Sequence, residues 1–487
     1  MRKNRLYSSL ILCLLSFSLW ATPRLTVVAV VDGLTTDNLN MLRPYWPQGG
    51  LRTLSEEAYQ TSITFPHLVY GGNETTATLM TGAVPAEHGY TMDSYFLRRD
   101  RKLHAMLEDE QAKGIGTSLR LSPRALLSRT MSDRMRLLYP AAKIYAIGIH
   151  PETTVLLAGH AANACCWLDS DEQQWTTTAA YSEGLPTAAY EQNQNGRIAE
   201  LAAHQWTPRM DIPMYNHPTE QERKKGFNYN VDKVLRRAPE ANTLVIELAL
   251  AIQKADKLGT DIVPDLLLLQ LNSLSPLTES DHILSAEHED LYLRLNQDLG
   301  FLMEQLDRRI GRENYQLLVV GRPILGTDKQ TLADIHLPVL PFSVDRAAAL
   351  TGTYLMAIYG HERWVDGGYG QSIYLNRTLI EQKRLSLETL QRQVANFLLD
   401  FEGVQTALPG HEALLQPQLA NSLCKRHTGD VVFTLQPGWQ LMQDERQAID
   451  MVVDAQPMAP LLLWCGQLRP MPQGRLTALD VADLIFQ

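Results

Sequence analysis

LTVVAVVDG, residues 25–33, is an unbroken apolar run that stops on one carboxylate, Asp32, with a glycine behind it. A strand covered on both faces has this composition, because neither side of it meets water. Its C-terminal end is where open α/β sheets place their ligands, so Asp32 is a first candidate metal ligand in need of partners. Similar runs follow: KIYAIGI at 143–149, LLLLQL at 266–271, QLLVV at 316–320, VVFTL at 431–435 and PLLLWC at 460–465. Helical patterns lie among them. Leu291, Leu295, Leu299, Leu302, Leu306 and Ile310 recur at spacings of three and four, which predicts one apolar stripe on a helix over about 287–310. Thr35, Thr36 and Asp37 offer N-caps for a helix running toward Tyr45. Strand and helix in alternation predict an α/β fold: a doubly wound, mainly parallel sheet with helices on both faces. Two polar stretches, about 168–240 and 326–415, read as cap insertions into one domain spanning 22–487.

The chain has 487 residues, 45% hydrophobic and 20% charged, with a formal charge of −10. Arg2, Lys3 and Arg5 precede an apolar stretch from Leu10 to Trp20, followed by Ala21-Thr22-Pro23. This is the pattern of a secretory signal peptide over residues 1–21, and it predicts a periplasmic or secreted protein. The apolar stretch is too short to span a bilayer, so no stable membrane insertion is expected. Cleavage removes three cations and takes the charge from −10 to about −13. An acidic exported protein is a poor partner for nucleic acid. Cys165 and Cys166 read as small packing residues, and a Cys424–Cys465 disulfide is one possibility in an oxidising compartment. No CxxC, GxGxxG, GxxxxGK[ST], HExxH or GxSxG motif occurs, which excludes cysteine-based zinc sites, nucleotide loops and serine-hydrolase elbows of those kinds.

The order of short segments is informative. VVDG is followed by MTGAVPAEHG (80–89), LLAGHAANACCWLD (156–169), a long helix-and-strand stretch (289–320), TGDVVFTLQPGW (428–439) and PLLLWCG (460–466) with LTALDVADLI (476–485) behind it. This resembles the alkaline phosphatase superfamily, in particular the exported, phosphate-irrepressible monoesterases with a threonine nucleophile. The resemblance runs from about residue 24 to the C-terminus and implies the family's α/β fold. It also implies two zinc ions held by aspartates and histidines at strand ends, a threonine nucleophile, and phosphate-binding donors.

Residue by residue, that chemistry does not carry over. The nucleophile position is Gly72, in YGGNETTATLMTG, with Asn73 and Thr75 beside it as candidate caps of the next helix. The positions of the family's Asp-x-x-x-His pair are Ser275 and Glu279, in NSLSPLTESDH; Glu279, Asp281 and His282 offer the one alternative metal cluster. The family's Asp-His-Gly is replaced by Arg322-Pro323-Ile324, and its late histidine by Met458. The phosphate-clamp positions hold His150 and Glu152, and the family's asparagine after the His-Gly step is Asp93. Of the implied zinc ligands only Asp32 is present.

Arg322 weighs most. A guanidinium about 4 Å from a dication is repelled by several kcal/mol even at an effective dielectric near 20, and arginine cannot shed its proton. The expectation is therefore an Arg322–Asp32 ion pair in the volume of the lost metals, in a vestigial pocket with no catalytic residues and no cofactor. Function then falls into one of two classes. Either the protein is a noncatalytic pseudoenzyme that binds an unidentified protein or ligand, or it is a divergent zinc-dependent phosphoric ester hydrolase using Asp32 with Glu279, Asp281, His282 or Asp93.

Overall fold

The computed structural model describes residues 22–69, 72–276, 285–323, 339–436, 438–444, 448–451, 458–467 and 474–486. Leu25–Asp32 (β1) is wholly buried and lies at the centre of a nine-stranded sheet. The other strands are β2 (Tyr59–Thr64), β3 (Gly114–Ile115), β4 (Ile144–Gly148), β5 (Ala164–Asp169), β6 (Gln174–Thr178), β7 (Asp265–Asn272), β8 (Tyr315–Arg322) and β9 (Met458–Cys465), in the order β2-β9-β8-β1-β7-β4-β5-β6-β3. The five strands from β8 to β5 are parallel, and antiparallel pairings occur only toward the two edges. The apolar runs therefore sit where a strand must be covered on both sides.

Alternate residues of β1 feed two cores. Val27, Ala29 and Val31 pack with Pro239–Ala255 and Ala286–Ile310, while Val28 and Val30 face Glu74–Thr81 and Pro151–Ala158. The helix predicted over 287–310 begins at Ala286, with the Ser285 side chain accepting from the His288 amide at 3.2 Å. Thr35 likewise caps a helix over Thr36–Leu42. No helix among the described residues is long and apolar enough to cross a membrane.

The stretch 168–240 is polar in composition but not detached. It supplies strand β6, and its Trp175 and Trp206 are buried in the main core. Trp206 Nε1 and Tyr215 Oη both donate to the buried Asp290 carboxylate at 2.7 Å, which fastens the segment to the long helix. Most of the second polar stretch falls in a folded unit, called the cap below, that continues past residue 415 to the strand at 448–451. Between 340 and 451 lie a four-stranded antiparallel sheet, a three-stranded sheet and two long helices, around a core that includes Val344, Ile373, Leu398 and Phe433. The strand Val431–Leu435 belongs to this cap and not to the central sheet. All four cysteines of the described residues are free, so no Cys424–Cys465 bridge forms: Cys424 is buried, while Cys465 ends β9.

Candidate functional site

Strands β1, β7 and β8 end side by side, and their register places Asp32 opposite Asn272 on one neighbour and Arg322 on the other. Arg322 Nε donates to Asp32 Oδ1 at 2.6 Å, with side-chain exposures of only 6% and 1%. The other carboxylate oxygen is also taken. Gln270 Nε2 donates to Asp32 Oδ2 at 2.8 Å, and Gln270 Oε1 in turn accepts from the backbone N–H of Ile149 and His150. Burial opposes the charge on Arg322, but the adjoining Asp32 outweighs it and raises the guanidinium's pKa further. The result is a buried ion pair.

The loop ahead of helix Glu74–Thr81 meets that pair. Arg322 Nη1 donates to Asn73 Oδ1 at 3.2 Å, which also accepts from Thr153 Oγ1 at 2.7 Å. Asn73 Nδ2 donates to Asp93 Oδ1 at 3.0 Å, and Tyr90 Oη donates to the same oxygen at 2.7 Å. Asn73 occupies the N-cap position, but its side chain makes no capping bond there. Its tertiary partners have taken the side chain away from the local role that the sequence suggests. Thr75 turns back to donate to Gly72 O at 3.0 Å, so its hydroxyl is a backbone tether. A side chain at Gly72 would meet Glu74: a Cβ built there lies 2.7 Å from Glu74 Oε2.

His150 is the N-cap of helix Pro151–Ala158, and Glu152 lies in its first turn. Burial lowers the His150 pKa to about 4, with Asp32 pulling it up and Arg322, Arg236 and Arg237 pushing it down. Burial raises the Glu152 carboxyl, and the Asp93 charge adds to that, while Arg236 opposes it. His150 is thus a neutral imidazole at pH 7. Ser275 is buried, Pro323 follows β8 directly, and Met458 is 59% exposed at the start of β9. Glu279, Asp281 and His282 lie outside the described residues. Among the described residues, no group of three or more His, Cys, Asp or Glu is placed to hold a metal ion.

Four participants carried no clear family signal: Gln270, Glu74, Tyr90 and Arg236. Gln270 could have been found, as the one polar residue inside LLLLQL.

The profile of the type I phosphodiesterase / nucleotide pyrophosphatase family matches residues 26–456. The chain belongs to this family. Similar proteins include the alkaline phosphatase PafA of Elizabethkingia meningoseptica, 24% identical over 76% of this chain and 72% of that protein. The alkaline phosphatase PhoV of Synechococcus elongatus is also 24% identical, over 86% and 81%. The crystal structure of wild-type PafA superposes with a TM-score of 0.83 at 21% identity, covering 94% of both chains. A phosphonoacetate hydrolase from Sinorhizobium meliloti, solved with phosphonoformate, gives 0.53 at 13% identity over 96% and 95%. The fold and the membership of the alkaline phosphatase superfamily expected from the sequence are therefore established.

Proposed function

We propose that this type I phosphodiesterase family member is a noncatalytic protein, exported to the periplasm or beyond, whose pocket binds a ligand or a protein partner instead of hydrolysing an ester. The observation that carries this reading is the buried Arg322–Asp32 pair. Two zinc ions bring four positive charges into one pocket and need several carboxylate or imidazole donors to disperse them. Here Asp32 has both oxygens engaged, and a fixed cation stands 2.6 Å from it. Ser275, Pro323 and Met458 offer one hydroxyl and a thioether between them, which is a poor donor set for zinc. The donor set among the described residues does not fit the metals.

The remaining chemistry agrees. Gly72 has no atom to phosphorylate, and the positions that would clamp a phosphate hold a neutral imidazole and a carboxyl group. A phosphate dianion approaching Asp93 and Glu152 meets repulsion where a hydrolase supplies donors. Export rests on the N-terminal charge and apolar pattern of residues 1–21.

The test combines metal analysis of the purified protein with assays on aryl phosphate, phosphodiester and sulfate substrates in added Zn²⁺. No stoichiometric zinc and no turnover are expected. Turnover that is abolished by Asp32→Ala would overturn the proposal and favour the divergent hydrolase, with Glu279, Asp281 and His282 as the first residues to mutate.

A further inference from the structure

A second hollow, of about 420 Å³, lies beside the first half of the long helix Ala286–Ile310. Its apolar lining comes from three separate stretches of chain: Leu42, Trp46 and Pro47 after the first helix, Met210 and Met214 from the stretch 168–240, and Leu293 on the long helix. That volume is in the range of sites for small organic molecules, and such sites usually have apolar and aromatic walls. The two methionines have unbranched, adaptable side chains that conform to a guest. Tyr45, also in the lining, and Met214 are 57% and 65% exposed, so apolar surface is left facing water here. None of these residues belongs to the Asp32 network.

The polar lining residues are Arg209, Asn216, Glu289 and Gln297, of which Arg209 and Glu289 are charged. Glu289 is saturated. Asn216 donates to it from its backbone N–H and from Nδ2 at 3.0 Å each, and His217 from its backbone N–H and Nδ1 at 2.5 and 2.9 Å. The next carboxylate, Asp290, is paired with Arg294 at 2.7 Å and accepts from Trp206, Tyr215 and the Arg209 backbone as well. Asp211, exposed two residues beyond Arg209, is outside the lining. The Arg209 guanidinium makes no ion pair among the described residues: Nη1 donates to the neutral Gln297 Oε1, and Nε and Nη2 are unspent. Gln297 Nε2 is unspent too, and Trp46, only 3% exposed, has no acceptor for its Nε1. Against these donors stands one unspent side-chain acceptor, Asn216 Oδ1. The inventory calls for a guest that accepts hydrogen bonds. Nε and Nη2 form the edge of a guanidinium that takes a carboxylate through two parallel bonds.

We propose that this cavity binds a small carboxylic acid with an apolar body, such as an aliphatic acid of medium chain length. The hydrocarbon lies among Trp46, Met210, Met214 and Leu293, and the carboxylate pairs with Arg209. The inference goes beyond the noncatalytic reading of the Asp32 site and does not depend on it.

Calorimetric titration of the full-length purified protein with octanoate, 1-octanol, octylammonium and acetate tests it, because the first three share a body and differ in the head. Octanoate is expected to bind saturably at one site, at least about tenfold more tightly than 1-octanol or octylammonium, and acetate to give no saturable signal. Arg209→Gln is expected to weaken octanoate about tenfold and leave 1-octanol unchanged. Met214→Gln is expected to weaken both, with the melting temperature of each variant unchanged. Absence of saturable octanoate binding would overturn the proposal. So would equal or tighter binding of 1-octanol or octylammonium, or an Arg209→Gln protein that holds octanoate as well as the wild type. Zinc-dependent ester turnover would overturn the noncatalytic reading and leave this one standing.

Discussion

Glu74 Oε2 stands 2.7 Å from the point where a side chain at Gly72 would begin. Glu74 is only 1% exposed, and the far end of its side chain must move aside to admit a side chain at Gly72.

Gly72→Thr alone is expected to give no phosphatase activity with or without Zn²⁺, and to lower stability by about 1–3 kcal/mol through overpacking. Aryl phosphate turnover and a urea melt check both halves. Recovery of turnover by this one substitution would mean that only the nucleophile is missing.

Asp32→Ala leaves Arg322 buried without its counterion. Breaking one side of such a pair costs about 3–5 kcal/mol, whereas replacing both members by apolar residues is often close to neutral. Asp32→Ala is thus expected to shift the urea midpoint strongly, and Asp32→Leu with Arg322→Met to recover most of the loss. If both variants are equally unstable, the pair contributes through packing and not through charge.

Metal removal is expected to change nothing. A ligand present at about 100 times its Kd stabilises a fold by roughly 2.7 kcal/mol, so a structural or catalytic zinc would reveal itself in a melt. EDTA and added Zn²⁺ should leave the melting temperature where it is. A drop with EDTA that zinc reverses would contradict the Arg322–Asp32 account.

Acid should weaken the fold through a buried pair of imidazoles. Thr78 Oγ1 lies 3.0 Å from His67 Nε2 and 3.1 Å from His88 Nε2. Burial lowers the two pKa values to about 4 and about 3, with a backbone bond to Leu68 opposing the shift at His67 and the charge of His67 adding to it at His88. Above pH 6.5 the rings are neutral whether the chain is folded or not, and their contribution is complete. Between pH 6.5 and about 4 the unfolded chain takes up protons that the folded chain refuses, so stability falls with pH. The loss is on the order of 3 kcal/mol per histidine by pH 4, read from urea midpoints across that range. His67→Gln should flatten the decline, and an unchanged slope would rule out this source.

The central sheet was legible because it depends on local composition. Short apolar runs such as LTVVAVVDG and LLLLQL, rich in β-branched residues or too short for a helix, fit strands buried on both faces, and a fixed charge at Arg322 changes the electrostatics wherever it points. Long-range partners were not legible. Gln270 meets Asp32 across 238 residues of chain, and Asn73 serves Asp93, Thr153 and Arg322 instead of its own helix. Polar composition also misled at Trp175 and Trp206, whose indoles sit in the main core although the stretch around them is rich in polar residues. Nothing local distinguishes VVFTL in the cap from strands of the central sheet, since both are covered by helices.

The cap around Val344, Ile373 and Phe433 keeps its hydrophobic interior to itself. Changes on its outer surface therefore leave that interior packed, so descendants of this chain can change what they recognise while inheriting the same scaffold.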